Sequence, residues 1–180
     1  CLKNFNIKII YIFIGKKFTK KEFDIDINNY VNYYLPKKIF NIIDKINKKF
    51  KIIIFGTQLE DMSIDKHYNH NEYYYAKSKQ RLNKYLIKKK LEFKSKILYV
   101  KLPSVYGKNI AKKSLINSII ISIKKNNFIK INNLHSKHHF LYIEDLCRLL
   151  KKIEINEKKL NIINNLNIKV DGYGPIYIMD

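Results

Sequence analysis

Residues 51–57 read KIIIFGT, a short apolar run that ends in a glycine and a threonine. A run of this length, rich in isoleucine and without polar alternation, predicts a strand buried on both faces of a sheet. Residues 73–93, YYYAKSKQRLNKYLIKKKLEF, follow after a polar stretch and place apolar residues at helical spacing. A buried strand followed by an amphipathic helix indicates an α/β protein.

The same alternation extends along the chain in both directions. Two further buried strands are predicted at 7–15, IKIIYIFIG, and at 96–104, KILYVKLPS. A helix is predicted at 35–50, LPKKIFNIIDKINKKF, where Pro36 suits the first turn. The helix at 73–93 is expected to turn four residues toward the core: Leu82, Tyr85, Leu86 and Leu91. Together these segments predict a parallel sheet with helices on both faces.

Ligands bind beyond the carboxyl ends of the strands in such a sheet. Those ends lie at Gly15, at Gly56 and Thr57, and at Pro103 and Ser104. The helix at 73–93 begins beyond the second of them and carries two pairs of a tyrosine and a lysine four residues apart. The pairs are Tyr73 with Lys77 and Tyr75 with Lys79.

A spacing of four residues puts the tyrosine and the lysine of each pair on one face of the helix. A free tyrosine, with a pKa of about 10, is a poor base near neutral pH. A neighbouring cation stabilises the phenolate and lowers that pKa, so such a pair suits proton transfer. Alternatively, the tyrosine and the lysine lie exposed on a helix and take part in no reaction, and Thr57 simply ends a strand.

The pattern is less regular after residue 107. The segments predict a helix, a short strand and a strand that runs into a helix: 114–126, 128–131 and 139–153. The tail at 161–180 predicts one or two more strands. We therefore expect one domain over residues 1–110 and a second region over 111–180, part of which returns to the sheet.

The formal charge of +21 raises the alternative of a nucleic-acid-binding protein. Of the 36 basic residues only Arg81 and Arg148 are arginine, the side chain suited to bidentate phosphate and base contacts. The lysines are spread along the chain rather than gathered, and isoleucine, asparagine, tyrosine and phenylalanine are abundant in the same way. This is typical of an A/T-biased coding sequence, and we do not expect nucleic acid as the partner.

Metal and membrane sites are not expected either. Cys1 and Cys147 have no metal-ligand spacing, and the five histidines form no HExxH or Cys/His cluster: His67, His70, His135, His138 and His139. No apolar run approaches the ~18 to 20 residues of a membrane span, and no secretory leader opens the sequence. We therefore expect a soluble cytoplasmic protein.

The segment YYYAKSK contains Tyr-Ala-x-Ser-Lys, which resembles the active-site helix of the extended short-chain dehydrogenases/reductases, the NAD-dependent epimerase/dehydratase family. This form selects Tyr75 and Lys79 over the other pair. KLPSVYGKN (101–109) resembles the family segment R-x-x-N-V-Y-G-P, and HHFLYIEDL (138–146) resembles R-D-F-I-Y-V-D-D-L. KIIIFGT resembles the strand that ends in the catalytic Ser or Thr. The resemblance spans about residues 7–165.

The resemblance implies a Rossmann-like doubly wound parallel sheet, NAD or NADP as cofactor, and a nucleotide-sugar substrate. It implies epimerase, dehydratase or 4-ketoreductase activity and leaves these three open. Tyr75 would be the acid/base, Lys79 would also bind the nicotinamide ribose, and Thr57 would polarise the reacting oxygen. Pro103, like Tyr75 and Lys79, would contact the cofactor, and Ser104 and His138 would contact the substrate. Residues 1–110 would be a cofactor domain that is incomplete at its N-terminus, and residues 111–180 would be part of a substrate-binding region. Family members often form homodimers through the helix that bears the Tyr and Lys.

The sequence departs from the family pattern in four places. The Gly-x-x-Gly-x-x-Gly turn that receives the pyrophosphate is not in it, which is expected of part of a larger enzyme or of a degenerate descendant. His138 stands where the family has a phosphate-contacting Arg, and Ser104 where an Asn is usual. QLEDM replaces Val-Tyr-Gly after the threonine. A non-catalytic remnant of the family is therefore a further alternative.

Overall fold

The computed structural model describes residues 6–16, 23–46, 49–67, 69–108, 114–128, 139–155, 168–170 and 173–179. The chain divides into two compact units. The first comprises Cys1–Lys101 with Tyr177–Asp180, and the second comprises Leu102–Ile176. The described helices contain none that is long and apolar enough to cross a membrane.

In its continuous part, the first unit has three described strands in chain order, each preceded or followed by helices. The strands are β1 (Ile9–Ile12), β2 (Lys51–Thr57) and β3 (Lys96–Leu102), and the helices are α1 (Ile25–Asn29), α2 (Leu35–Lys45) and α3 (His70–Lys89). One π-helical turn, Tyr30–Tyr34, joins α1 to α2. β2 lies between β1 and β3, and β1 pairs with it in parallel, with Ile9 opposite Lys51. The mixed α/β fold with parallel strand pairs confirms the predicted Rossmann-like class.

The core of this unit forms where the helices cover β2. All seven residues of β2 are buried, as predicted for a strand covered on both faces. Ile52 and Ile54 pack there with Leu82 and Leu86, two of the residues that the helical pattern of α3 placed inside. Removing such apolar side chains from water is the main favourable contribution to folding, about 25 cal/mol for each Å² of apolar surface buried.

Two boundaries differ from the sequence expectation. The helical stretch begins at Ile25 rather than near residue 35, because Asp24 caps it by accepting from the amides of Asp26 at 2.8 Å and Ile27 at 2.9 Å. The prediction that Leu91 points toward the core is wrong. α3 ends at Lys89, so Leu91 lies beyond the helix and is 98% exposed.

The second unit has a smaller pair of strands. β4 (Ser104–Tyr106) pairs in parallel with β5 (Phe140–Tyr142), with Ser104 opposite Phe140. Helix α4 (Leu115–Lys124) lies between these strands in sequence, and α5 (Ile143–Ile155) follows β5 directly, which confirms the predicted strand running into a helix. Except for Phe128, which is not in a strand, the strand predicted at 128–131 lies outside the described residues.

Two further strands come last in the chain. β6 (Ile168–Val170) pairs in antiparallel fashion with the start of β7 (Tyr173–Met179). The end of β7 pairs in antiparallel fashion with β3, with Tyr177 opposite Lys101. The division into two predicted regions at residue 110 stays a prediction.

Candidate active site

Thr57 ends β2 and begins a short 3₁₀ turn, Gln58–Asp61. Its Oγ1 accepts a hydrogen bond from the Leu59 amide at 3.4 Å, while its own amide donates to Glu60 Oε1 at 2.8 Å. This reciprocal arrangement is a capping box, which fixes the direction in which the chain leaves the strand. The threonine hydroxyl is thereby held at the carboxyl end of β2, where the sequence placed it.

Lys79 lies within the first unit and is only 3% exposed. Its Nζ donates to the carbonyl oxygens of Ile14 at 3.0 Å and Phe55 at 3.2 Å. Ile14 follows β1 and Phe55 lies near the end of β2, so the ammonium group sits at the predicted ligand edge of the sheet. Burial lowers the pKa of Lys79 from 10.5 to about 8, against an opposing effect of the negative charge on Glu60.

Tyr75 lies one helical turn before Lys79 on α3 and is half-buried. Burial and the charge of Glu60 raise the pKa of Tyr75 to about 12, and a hydrogen bond with the Thr57 side chain acts in the opposite direction. The Ser78 hydroxyl donates to the Tyr75 carbonyl at 2.7 Å. Burial and Glu60 thus oppose the lowering of the Tyr75 pKa that we expect from a neighbouring cation, and that lowering stays a prediction.

The other pair on α3, Tyr73 and Lys77, has a different environment. Lys77 is exposed, and its Nζ lies 5.4 Å from the centroid of the Tyr73 ring. This is a cation–π contact at the surface. The two pairs differ in their lysines, because Lys77 is exposed and Lys79 is buried, while Tyr73 and Tyr75 are both half-buried.

Glu60 is the acid of this site, and sequence reasoning missed it. Only 4% of the residue is exposed, and Oε1 accepts a second hydrogen bond from the Tyr99 hydroxyl at 2.9 Å. Gly56 leaves room for this contact, since a Cβ there would overlap Glu60 Oε1 and the Tyr99 ring. The sequence signal was present, because Thr57 followed three residues later by Glu60 has the spacing of a capping box.

The remaining predicted site residues belong to the second unit. Pro103 is buried, and Ser104 is exposed at the start of β4 with its amide donating to the His139 carbonyl at 3.2 Å. His138 lies outside the described residues. The structure therefore brings together Thr57, Tyr75 and Lys79, and the roles of the other three stay predictions.

Metal ligands were not expected, and the described ranges contain no group of three or more His, Cys, Asp or Glu side chains that could hold an ion. Two of the five histidines, His135 and His138, fall outside those ranges.

Comparison with known proteins points to one family. The sequence profile of the NAD dependent epimerase/dehydratase family matches residues 19–164. No curated protein sequence matches the chain. RMD from Pseudomonas aeruginosa, solved in complex with NADPH, is 12% identical with a TM-score of 0.65, and the match covers 81% of this chain and 56% of that one. The capsular polysaccharide assembling protein CapF from Staphylococcus aureus is 16% identical with a TM-score of 0.53, covering 79% and 35%.

These two likenesses concern the fold. The chain spans little more than half the length of the RMD structure and about a third of the CapF structure.

Proposed function

Because the chain belongs to the NAD-dependent epimerase/dehydratase family, we propose that it carries the proton-transfer site of an enzyme that acts on nucleotide sugars. The observation that supports this most directly is the buried cluster at the ends of β1 and β2. There the ammonium group of Lys79 bridges two strand-end carbonyls, and Tyr75 and Thr57 share a hydrogen bond. Whether the reaction is epimerisation, dehydration or 4-keto reduction is open.

Tyr75, Thr57 and Lys79 have different roles in this proposal, which follow from the chemistry of each side chain. Tyr75 gives a proton to, or takes one from, the oxygen of the sugar carbon that changes oxidation state. The Thr57 hydroxyl donates to the same oxygen and polarises it. Lys79 has three N–H donors, two of which bind the carbonyls of Ile14 and Phe55, so the third is suited to a ribose hydroxyl. Its positive charge also favours the phenolate of Tyr75.

The cofactor is expected to be NAD or NADP, in keeping with the family. Bound nicotinamide supplies or accepts the hydride, and the protein contributes position and electrostatics. Lys79 and Tyr75 fit the nicotinamide and ribose end, since a buried cation and a half-buried phenol meet at the ligand edge. The glycine-rich turn that receives the pyrophosphate is not in this sequence. Binding of the whole cofactor and turnover by the protein are accordingly proposed.

A panel of nucleotide sugars incubated with the protein and with each nicotinamide cofactor tests the proposal. We expect at least one sugar to be converted, with chromatography separating substrate from product. Binding of arbitrary DNA or RNA that weakens steeply with salt, together with indifference to all sugars and cofactors, would instead support the lysine-rich nucleic-acid-binding alternative. A folded chain that binds neither would support a non-catalytic remnant. A cytoplasmic location and a homodimer stay predictions.

A further inference from the structure

Glu60 is a buried acid beside the site, and the proton chemistry proposed above leaves it without a role. Both described hydrogen bonds of its carboxyl group go to Oε1, whereas Oε2 is buried and has no hydrogen-bond partner among the described residues. A buried carboxyl oxygen without a partner costs free energy. An apolar side chain of similar size would meet a purely packing role at lower cost. The position of this acid therefore calls for another explanation.

The backbone around Glu60 connects the strand end to the catalytic helix. Gln80, one residue after Lys79 on α3, donates from Nε2 to the Glu60 carbonyl. On the other side, the Glu60 carboxylate accepts from the Thr57 amide. The position of the Thr57 hydroxyl relative to Tyr75 consequently depends on how Glu60 is held.

Charged and polar groups face the Glu60 carboxyl from every element packed around it. They are Thr57 in the turn, Tyr75 and Lys79 on α3, and Tyr99 and Lys101 on β3. Burial raises the pKa of Glu60, while these hydrogen bonds and the two lysine charges lower it. In return, the negative charge of Glu60 makes it harder to remove the proton from either tyrosine hydroxyl.

We propose that Glu60 is a positioning residue of the candidate active site, which holds Thr57 in place and whose negative charge disfavours the phenolate of Tyr75. This inference rests on the proposed function, because it assigns Glu60 a role toward the proposed acid/base. A tyrosine that is kept protonated is suited to the step in which a sugar oxygen takes up a proton. Glu60 acts through Tyr75 and Thr57 and does not itself contact the substrate.

The substitution E60Q separates the charge of Glu60 from its shape, because an amide oxygen can still accept from the Thr57 amide and the Tyr99 hydroxyl. The readout is carbon-13 NMR of the protein with every tyrosine labelled at Cζ, which follows each phenol as it loses its proton. The chain has 14 tyrosines, and Y75F identifies the Tyr75 signal. We expect the fraction of Tyr75 present as tyrosinate at a fixed alkaline pH to rise about tenfold in E60Q.

The matched control is E72Q, the same substitution in the first turn of α3. We expect it to leave the Tyr75 titration where it is in the wild type. If E60Q lowers the thermal stability but Tyr75 titrates as in the wild type, Glu60 is only structural and the proposal is overturned. An equal change in E60Q and E72Q would also overturn it, since the effect would then be one of net charge.

The wild-type protein offers the same test in case E60Q does not fold. The Tyr75 Cζ signal should show a second, smaller inflection on the alkaline side of the ordinary carboxyl pKa of 4.5, where Glu60 ionises. A Tyr75 signal that is flat through this range would contradict the proposal. Neither titration needs cofactor or substrate, so a failure here is distinct from a failure of the proposed function.

Discussion

Replacing Tyr75 by Phe is expected to lower turnover of the nucleotide sugar about a thousandfold, the middle of the range for general acid–base catalysis. Y75F keeps the ring that packs against the site and removes only the hydroxyl that moves the proton. We therefore expect the dissociation constant of the nicotinamide cofactor to change by no more than about twofold. Steady-state kinetics and a fluorescence titration with the reduced cofactor measure the two effects separately.

Tyr73 provides the matched control, since it lies on the same helix two residues away and its ring contacts an exposed lysine. Y73F removes an identical hydroxyl and is expected to leave turnover at the wild-type level. Wild-type rates in Y75F would show that the proton-transfer site has been assigned wrongly. Equal losses in Y75F and Y73F would point to a change in the helix rather than in the chemistry.

Burial of Lys79 is expected to make the stability of the protein depend on alkaline pH. The pKa of Lys79 is about 8 in the folded protein and 10.5 when the side chain is free. Between these values the unfolded chain binds the proton and the folded chain does not, so the free energy of unfolding rises with pH. From pH 8 to pH 10.5 the wild type should gain about 3 kcal/mol relative to K79M, which has no amine to titrate.

Urea unfolding of the two proteins across this pH range measures the difference. K77M is the control, because Lys77 is exposed on the same helix and its replacement should leave the pH dependence of the wild type unchanged. Parallel stability curves for the wild type and K79M would mean that Lys79 is not buried as described. The same variant should lose turnover, because the charge that favours the phenolate is gone.

The parts of the fold that could be predicted are those where burial is apolar. β2 was predicted residue for residue, since isoleucines buried on both faces leave an unbroken apolar run. The helical stretch from Ile25 could not be recognised by the same rule, because it buries asparagines. Asn32 lies inside by exchanging hydrogen bonds with the backbone of Lys16, accepting from its amide at 3.0 Å and donating to its carbonyl at 3.1 Å. Hydrophobic periodicity does not detect a helix held in this way.

The residues of the candidate site likewise differ in how well the sequence predicts them. Tyr75 and Lys79 could be predicted as site residues because a motif with a fixed spacing lies within one helix. Glu60 could not, because its partners come from different elements: Thr57 follows β2 and Tyr99 belongs to β3. Contacts between residues 39 apart in sequence arise only when the strands are assembled. The capping-box spacing predicts the first of these contacts but not that the carboxyl is buried.

Transfer of deuterium from a reduced nicotinamide cofactor to the carbonyl carbon of 4-keto nucleotide sugars, which can accept a hydride, tests the central claim most directly. The cofactor carries deuterium at its transferable position, and mass spectrometry of the sugar follows a single turnover in the wild type and in Y75F. We predict that deuterium appears on a carbon of the sugar with the wild type and is transferred far more slowly with Y75F. Deuterium that remains on the cofactor with every sugar tested, or transfer at equal rates in both proteins, would contradict the assignment of Tyr75, Lys79 and Thr57 as the site of an NAD(P)-dependent reaction.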